Sequence, residues 1–155
     1  MRLTELVTAE VIKVPLKGTT KRIVIRELLE LCCPLAGPNE IEPVFRSIME
    51  RERLMSSGIG HGIAMPHGFS TGVTEFAASL GVASKPIEFD AVDGRPVSII
   101  FLVVSDDDHT GDKLKALARI SRLLHNESFR VALATSRSAD EAMQVIADEE
   151  AQHRI

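Results

Sequence analysis

The segment VSIIFLVV, residues 97–104, constrains the fold of this chain more than any other stretch. An apolar run of that length reads as a strand buried on both faces, and such a strand needs helices above and below it. It spans eight residues, far short of the roughly 20 that a membrane-spanning helix requires.

The remaining sequence supplies those covering layers. Strand signals at residues 11–16 and about 76–83 alternate with amphipathic helical patterns. Thr19 or Thr20 can cap a helix that runs to about Cys32 and is stopped by Pro34. Asn39, with Glu42 three residues on, reads as a capping-box start for a second helix, whose Ile41, Val44, Phe45, Ile48 and Met49 share one face. Asp112 is expected to open a third long helix with Leu114, Leu117, Ala118, Ser121 and Leu124 facing inward. A short helix follows near residues 129–134, and Ser138 with Glu141 starts the last one, with Ala142, Val145 and Ile146 inward. The fold class is therefore α/β. The reading is a single domain, residues 1–155, with a mixed parallel/antiparallel sheet of about five strands covered by helices on both faces. A purely parallel sheet is excluded because only a loop, turning at Asp93-Gly94, joins residues 76–83 to 97–104.

Composition narrows the function classes. At 155 residues the chain suits one domain, and 45% hydrophobic with 26% charged residues is a globular composition. A net charge of −4 argues against nucleic acid or an anionic membrane as the main partner. Glu5 and Glu10 interrupt the N-terminal segment where an export signal needs an apolar run, so a cytoplasmic protein with no membrane insertion is expected. Cys32 and Cys33 are adjacent, poorly placed for an ordinary disulfide, and read as packing residues of a reduced protein.

The stretch RERLMSSGIGHGIAMPHGFST, residues 51–71, carries the chemistry. Gly58, Gly60 and Gly62 give only part of a dinucleotide fingerprint, and Pro66 stands where the receiving helix should form. No lysine follows these glycines, so a Walker loop is excluded by spacing. In an extended segment His61 and His67 lie about 20 Å apart at ~3.3 Å per residue, too far for one metal ion, and no third ligand sits nearby. The remaining functional reading is a nucleophilic histidine. Alternation puts Ile59, His61, Ile63, Met65 and His67 on one face, Pro66 is expected to end the ladder, and Gly68 to turn the chain away with positive φ. An imidazole lifted out there can accept and release a phosphoryl group. The neighbouring glycines would let backbone N–H groups approach an anion. A hydrogen-bonded structural histidine is the competing reading, and residue chemistry leaves both open.

RERLMSSGIGHGIAMPHG resembles the signature of the enzyme IIA domains of the bacterial phosphoenolpyruvate-dependent phosphotransferase system, in its fructose/mannitol and nitrogen-related branches. PIEFDAVDGRPVSIIFLVVS and LKALARISRLLHNESFRVAL resemble the segments that follow the signature, in the same order, so the likeness covers nearly the whole chain. It implies that His67 is the phosphoryl acceptor, loaded by the histidine-containing phosphocarrier protein. It implies that Arg51 is the active-site arginine, whose guanidinium binds phosphate oxygens in a fork. Ser57, Gly58, Gly60, Gly62 and Gly68 are assigned to the phosphate loop. The family's second active-site histidine falls on Lys113, which can donate only as a point charge; His109, four residues earlier, is the possible substitute. No metal or organic cofactor is implied, because positioning and cationic donors suffice for the transfer.

One domain without a second module points to the nitrogen-related branch, in which phosphorylation switches regulatory target proteins. The alternatives are a stand-alone fructose/mannitol component that passes phosphate to a IIB cysteine domain, and a binding module that never carries phosphate. His61 at a variable signature position, His125 as a cation at a helix end and His153 in a polar tail need no function.

Overall fold

The structure, a computed structural model, describes residues 2–32, 38–69, 77–105 and 110–153. Among them six strands form one sheet: β1 (Ile12–Lys13), β2 (Gly58–Gly60), β3 (Ile63–Ala64), β4 (His67–Phe69), β5 (Ala77–Ile87) and β6 (Val97–Ser105). Their order is β1-β5-β6-β3-β2, with β4 also paired to β6. The expected apolar strand is thus the hub of the sheet, and all of it except Ser98 is buried. The β5–β6 pair is antiparallel, whereas β1 on β5 and both β3 and β4 on β6 are parallel, which makes the sheet mixed.

Helices cover both faces because β6 is apolar on both. Helices α1 (Leu3–Leu6), α2 (Lys21–Cys32) and α3 (Pro38–Leu54) precede the sheet's long strands, and α4 (Thr110–Leu123), α5 (Glu127–Ala134) and α6 (Ala139–Gln152) follow them. On one face, Val24 and Leu28 of α2 and Val44 and Ile48 of α3 pack with Ile100, Leu102 and Val104. On the other, Leu3, Ile120, Phe129 and Ile146 pack with Ile99, Phe101 and Val103. Each such side chain contributes about 1.5–3 kcal/mol by leaving water, so the alternating residues of β6 hold both layers at once.

Several expectations shift on inspection. The strand expected over residues 11–16 is only Ile12–Lys13, after a short 3-10 turn at Ala9–Val11. Pro15 has no N–H to offer, and pairing resumes where Leu16 N–H donates to Val82 O at 3.0 Å. Helix α2 begins after Thr20, whose Oγ1 accepts the Ile23 N–H at 3.4 Å. Pro34 and Cys33 lie outside the described residues, as does Phe76; Cys32 is half-buried against the core. Helix α3 starts at Pro38, so Asn39 sits in its first turn instead of capping it. Proline suits that first position because its missing N–H has no helical partner there. Glu42 pairs with Arg26 of α2 rather than closing a capping box. The predicted inner face of α3 holds, with Ile41, Val44, Phe45 and Ile48 buried and Met49 packed beside them.

Helix α4 opens at Thr110, and its inner face is only partly the expected one: Leu117 and Leu124 meet the core as expected. Ala116, Ile120 and Leu123, with Leu124 just beyond, are buried, whereas Leu114, Ala118 and Ser121 are exposed. The sequence carries two overlapping apolar series, and the one with Ile120 and Leu123 removes more hydrocarbon from water than the one with Ala118 and Ser121. The end of α4 is closed by Arg130, whose Nη1 donates to Leu124 O at 2.8 Å and His125 O at 3.1 Å. Arg130 thus joins Arg122, in the last turn, as a cation at that terminus, and His125 stays exposed. In α6, Ser138 Oγ accepts the Glu141 N–H at 3.1 Å as the capping signal predicts, Ala142 and Ile146 are buried, and Val145 packs at the core's margin.

Helix α1 is tied to α6 by Glu150. Its carboxylate accepts Leu3 N–H at 2.6 Å and Thr4 N–H at 2.9 Å, with Arg119 Nη2 at 3.3 Å. Beside it, the buried Glu149 accepts from Asn126 Nδ2 at 3.0 Å and meets His153 Nε2 at 2.9 Å, so His153 is held rather than left in a polar tail. No described helix is long and apolar enough to cross a membrane.

Candidate active site

The glycine-rich stretch is not one extended strand. β2 and β3 are antiparallel and joined through Gly60-His61-Gly62, with φ of 99°, 58° and 77°. Positive φ costs an L-residue roughly 1–2 kcal/mol, and glycine on either side of His61 limits that cost to one position. Asp93 braces the turn: its Oδ2 accepts the His61 N–H at 3.1 Å and its Oδ1 the Arg95 N–H at 3.0 Å. The Arg95 bond is the main reason that the Asp93 carboxyl is held below its ordinary range. The single-face alternation expected for Ile59, His61, Ile63, Met65 and His67 is broken here, since Ile59 and His61 are exposed and Ile63 is buried.

Pro66 does not end the ladder. β3 pairs with β6 at Ile63↔Ile99 and Ala64↔Ile100, and β4 continues along the same strand from His67↔Val103. Pro66 lacks a donor, but its carbonyl accepts the Val103 N–H at 3.1 Å and keeps the two short strands in line. Gly68 is not at positive φ either. A Cβ there would lie 2.4 Å from Ile48 Cγ1, closer than packed atoms approach, so this glycine lets α3 rest on β4. The expectation of a turn at Gly68 gives way to one of close contact.

That contact brings the end of α3 over the start of β4. Arg51, in the last turn of α3, Ser57 and His67 line one cleft of about 270 Å³, together with Ile48, Glu52, Leu54, Met55 and Ser56. Arg51, Leu54 and Met55 are exposed, and His67 is half-buried. His67 Nδ1 lies 3.2 Å from Met65 O. A carbonyl can only accept, so Nδ1 is the donor in this bond and the neutral ring carries its lone pair on Nε2. Ser57 Oγ is buried and has no hydrogen-bond partner among the described residues. A guanidinium and an imidazole on one cleft suit a tetrahedral oxyanion, and the Glu52 carboxylate in the same lining is offset by Lys21.

The other assigned residues fall in different places. Gly58 packs against Ala91, where a Cβ would come within 2.7 Å. Gly60 and Gly62 belong to the hairpin turn at Asp93 and do not line the cleft. Lys113 is in the first turn of α4, and His109 lies outside the described residues.

Two residues escaped the sequence reading. Glu52 is buried beside Arg51 and accepts the Ser57 N–H on both oxygens, at 3.0 and 3.2 Å. Lys21 Nζ stands 3.1 Å from Glu52 Oε2 and 5.4 Å above the Phe89 ring. The signal was available: Glu52 is four residues beyond Ile48, on the stripe that α3 buries. Ser105 is the other. It is fully buried at the end of β6, two residues past the partner of His67, and its hydroxyl also lacks a partner among the described residues. A serine closing an apolar strand gave no sign of this.

Comparison with known proteins places the chain. The family model for the phosphoenolpyruvate-dependent sugar phosphotransferase system, EIIA 2, matches residues 5–149. A nitrogen regulatory protein of Bradyrhizobium diazoefficiens is 35% identical over 147 residues, which are 95% of each chain. The fructose-specific EIIABC component of the Bacillus subtilis phosphotransferase system is 30% identical over 146 residues, covering 94% of this chain and 23% of that much longer protein. The crystal structure of the nitrogen regulatory protein IIA-Ntr from Neisseria meningitidis superimposes with a TM-score of 0.83 at 29% identity, over 93% of this chain and 98% of that one. With the matched model spanning nearly the whole sequence, the chain belongs to the EIIA 2 family of the phosphoenolpyruvate-dependent sugar phosphotransferase system.

Proposed function

We propose that this protein is a cytoplasmic phosphoryl carrier that accepts a phosphoryl group on Nε2 of His67 from a histidine phosphocarrier protein. The observation that carries this reading is the Met65 O–His67 Nδ1 bond in a cleft shared with Arg51. It sets the tautomer a nucleophilic imidazole needs. In the transfer, the Nε2 lone pair forms the new N–P bond as the P–N bond to the donor histidine breaks. Arg51 offsets the charge on the phosphoryl oxygens.

The downstream role we infer is that of a nitrogen-type regulatory switch on partner proteins. Support comes from the 35% identity and the 0.83 TM-score with nitrogen regulatory relatives. The 30% identity to a fructose-specific component favours a second reading, passage of the phosphoryl group to a IIB cysteine domain. A phosphate-independent binding module is the third.

The test is incubation with phosphoenolpyruvate, enzyme I and phosphocarrier protein, read by intact mass. Acid-labile gain of one phosphoryl group, lost in His67→Ala, is the expected result. No gain with active upstream proteins of the same organism would leave the binding module. Transfer from labelled protein to a IIB domain separates the first two readings. Lys113→His is expected to speed labelling about tenfold, the worth of one directed hydrogen bond; an unchanged rate would place this position outside the site.

A further inference from the structure

Glu52 is a buried carboxylate that none of the chemistry above uses. A helix can fill the position four residues past Ile48 with an apolar side chain and avoid desolvating a charge, so the carboxylate's value lies in what it holds. It holds Ser57. The Ser57 N–H donates to both Glu52 oxygens, Ser57 O accepts the Met65 N–H at 3.0 Å, and Met65 O accepts from His67 Nδ1 at 3.2 Å. Each of the two intermediate residues is thus fixed on both its N–H and its C=O side, from a buried anion to the imidazole. The segment is pinned laterally as well, by Ser56 Oγ donating to Phe89 O and by Val92 N–H donating to Gly58 O at 3.1 Å. Lys21, 3.1 Å from Glu52 Oε2, balances the charge from the first residue of α2.

We propose that Glu52 is the positioning residue of this site. Its carboxylate fixes the Ser57 backbone and, through Met65, holds the His67 ring in the Nδ1–H form with the lone pair on Nε2. Glu52 lines the same cleft as His67, and the role proposed for it acts through its bonds to Ser57. The proposal rests on the reading of His67 as the acceptor, and its test is chosen to be separable from it.

The measurement is long-range ¹H–¹⁵N NMR of the His67 ring in the unphosphorylated full chain, beside the labelling rate. Wild type is expected to show the Nδ1–H form. Glu52→Ala should mix in the Nε2–H form and slow labelling by about tenfold or more, the effect of losing one charge-assisted hydrogen bond. Glu52→Gln, whose amide oxygen still accepts the Ser57 N–H, should keep the tautomer and recover the rate to within about threefold. Glu52→Asp, with a carboxylate too short to reach Ser57, should behave like the alanine variant and serves if that one fails to fold. A wild-type tautomer and rate in Glu52→Asp or Glu52→Ala would overturn the proposal, even if stability fell. The tautomer is read without any phosphoryl donor, so a wild-type chain that cannot be labelled overturns the acceptor reading instead.

Discussion

Ile48 lies so close to Gly68 that a Cβ on the glycine would sit 2.4 Å from Ile48 Cγ1 and 3.0 Å from its Cδ1. This one contact sets the height of α3 above β4, and therefore how the last turn of α3, with Arg51, overhangs His67.

Gly68→Ala is accordingly expected to destabilise the fold by about 1–3 kcal/mol through overpacking and to slow labelling by displacing Arg51. Ile48→Ala alone should cost about 2–4 kcal/mol by leaving a cavity. The double variant should lose less than the sum, because the new methyl occupies vacated space. Urea denaturation of the four proteins checks this; simple additivity would mean that the two residues do not press on each other.

Arg51 is exposed at a helix end, so it can be removed with little effect on stability. Arg51→Ala should leave the urea midpoint nearly unchanged and reduce the labelling rate about 100-fold, the usual loss for one donor to a developing charge. Arg51→Lys should restore only part of it, since an ammonium cannot grip two oxygens at once.

Gly62 should matter for folding and not for transfer. Gly62→Ala places a methyl-bearing residue at φ 77°, at a cost of roughly 1–2 kcal/mol. Its labelling rate, corrected for the folded fraction, should match wild type. A specific loss of rate would return this turn to the phosphate site.

Glu150 makes stability depend on pH. Burial alone would raise its carboxyl, but the N–H donors of Leu3 and Thr4 and the Arg119 guanidinium outweigh burial and hold the group below its ordinary 4.5. A lowered folded-state value contributes stability above the unfolded value and loses it as pH falls through the folded one. Glu150→Gln should therefore cost about 1–3 kcal/mol at neutral pH, and the gap from wild type should narrow as the pH falls below 4.5. Urea melts across that range read the difference.

Much of this molecule was legible before its coordinates. The buried strand, the inner face of α3, the cap at Ser138 and the sequence signature around His67 all follow from periodicity or motif, because each is a local pattern. What escaped depends on which surface wins against another. The rotation of α4 turns on whether Ile120 or Ala118 meets the sheet, a choice between two apolar series that local spacing does not rank. Pro66 and Gly68 were legible as special and misread in kind: a missing donor and a missing side chain suggested an end and a turn. In the fold they serve a continuing ladder and a close contact. The burial of Glu52 was legible from its spacing to Ile48, but not its bond, because its partner, the Ser57 N–H, belongs to the backbone, which every sequence has in the same form.

The splitting of one strand into β3 and β4 along a single partner also divides the site by rigidity. The Val103 N–H that meets Pro66 O lies in β6, the central strand of the described sheet and buried except at Ser98, and should exchange with solvent only when the whole protein unfolds. The histidine is thereby mounted directly on that central strand, opposite Val103. Arg51 extends from the exposed end of a helix. If His67 is the acceptor we propose, a protein that docks over this cleft meets a fixed imidazole and an adjustable cation, and tuning by contact falls on the arginine.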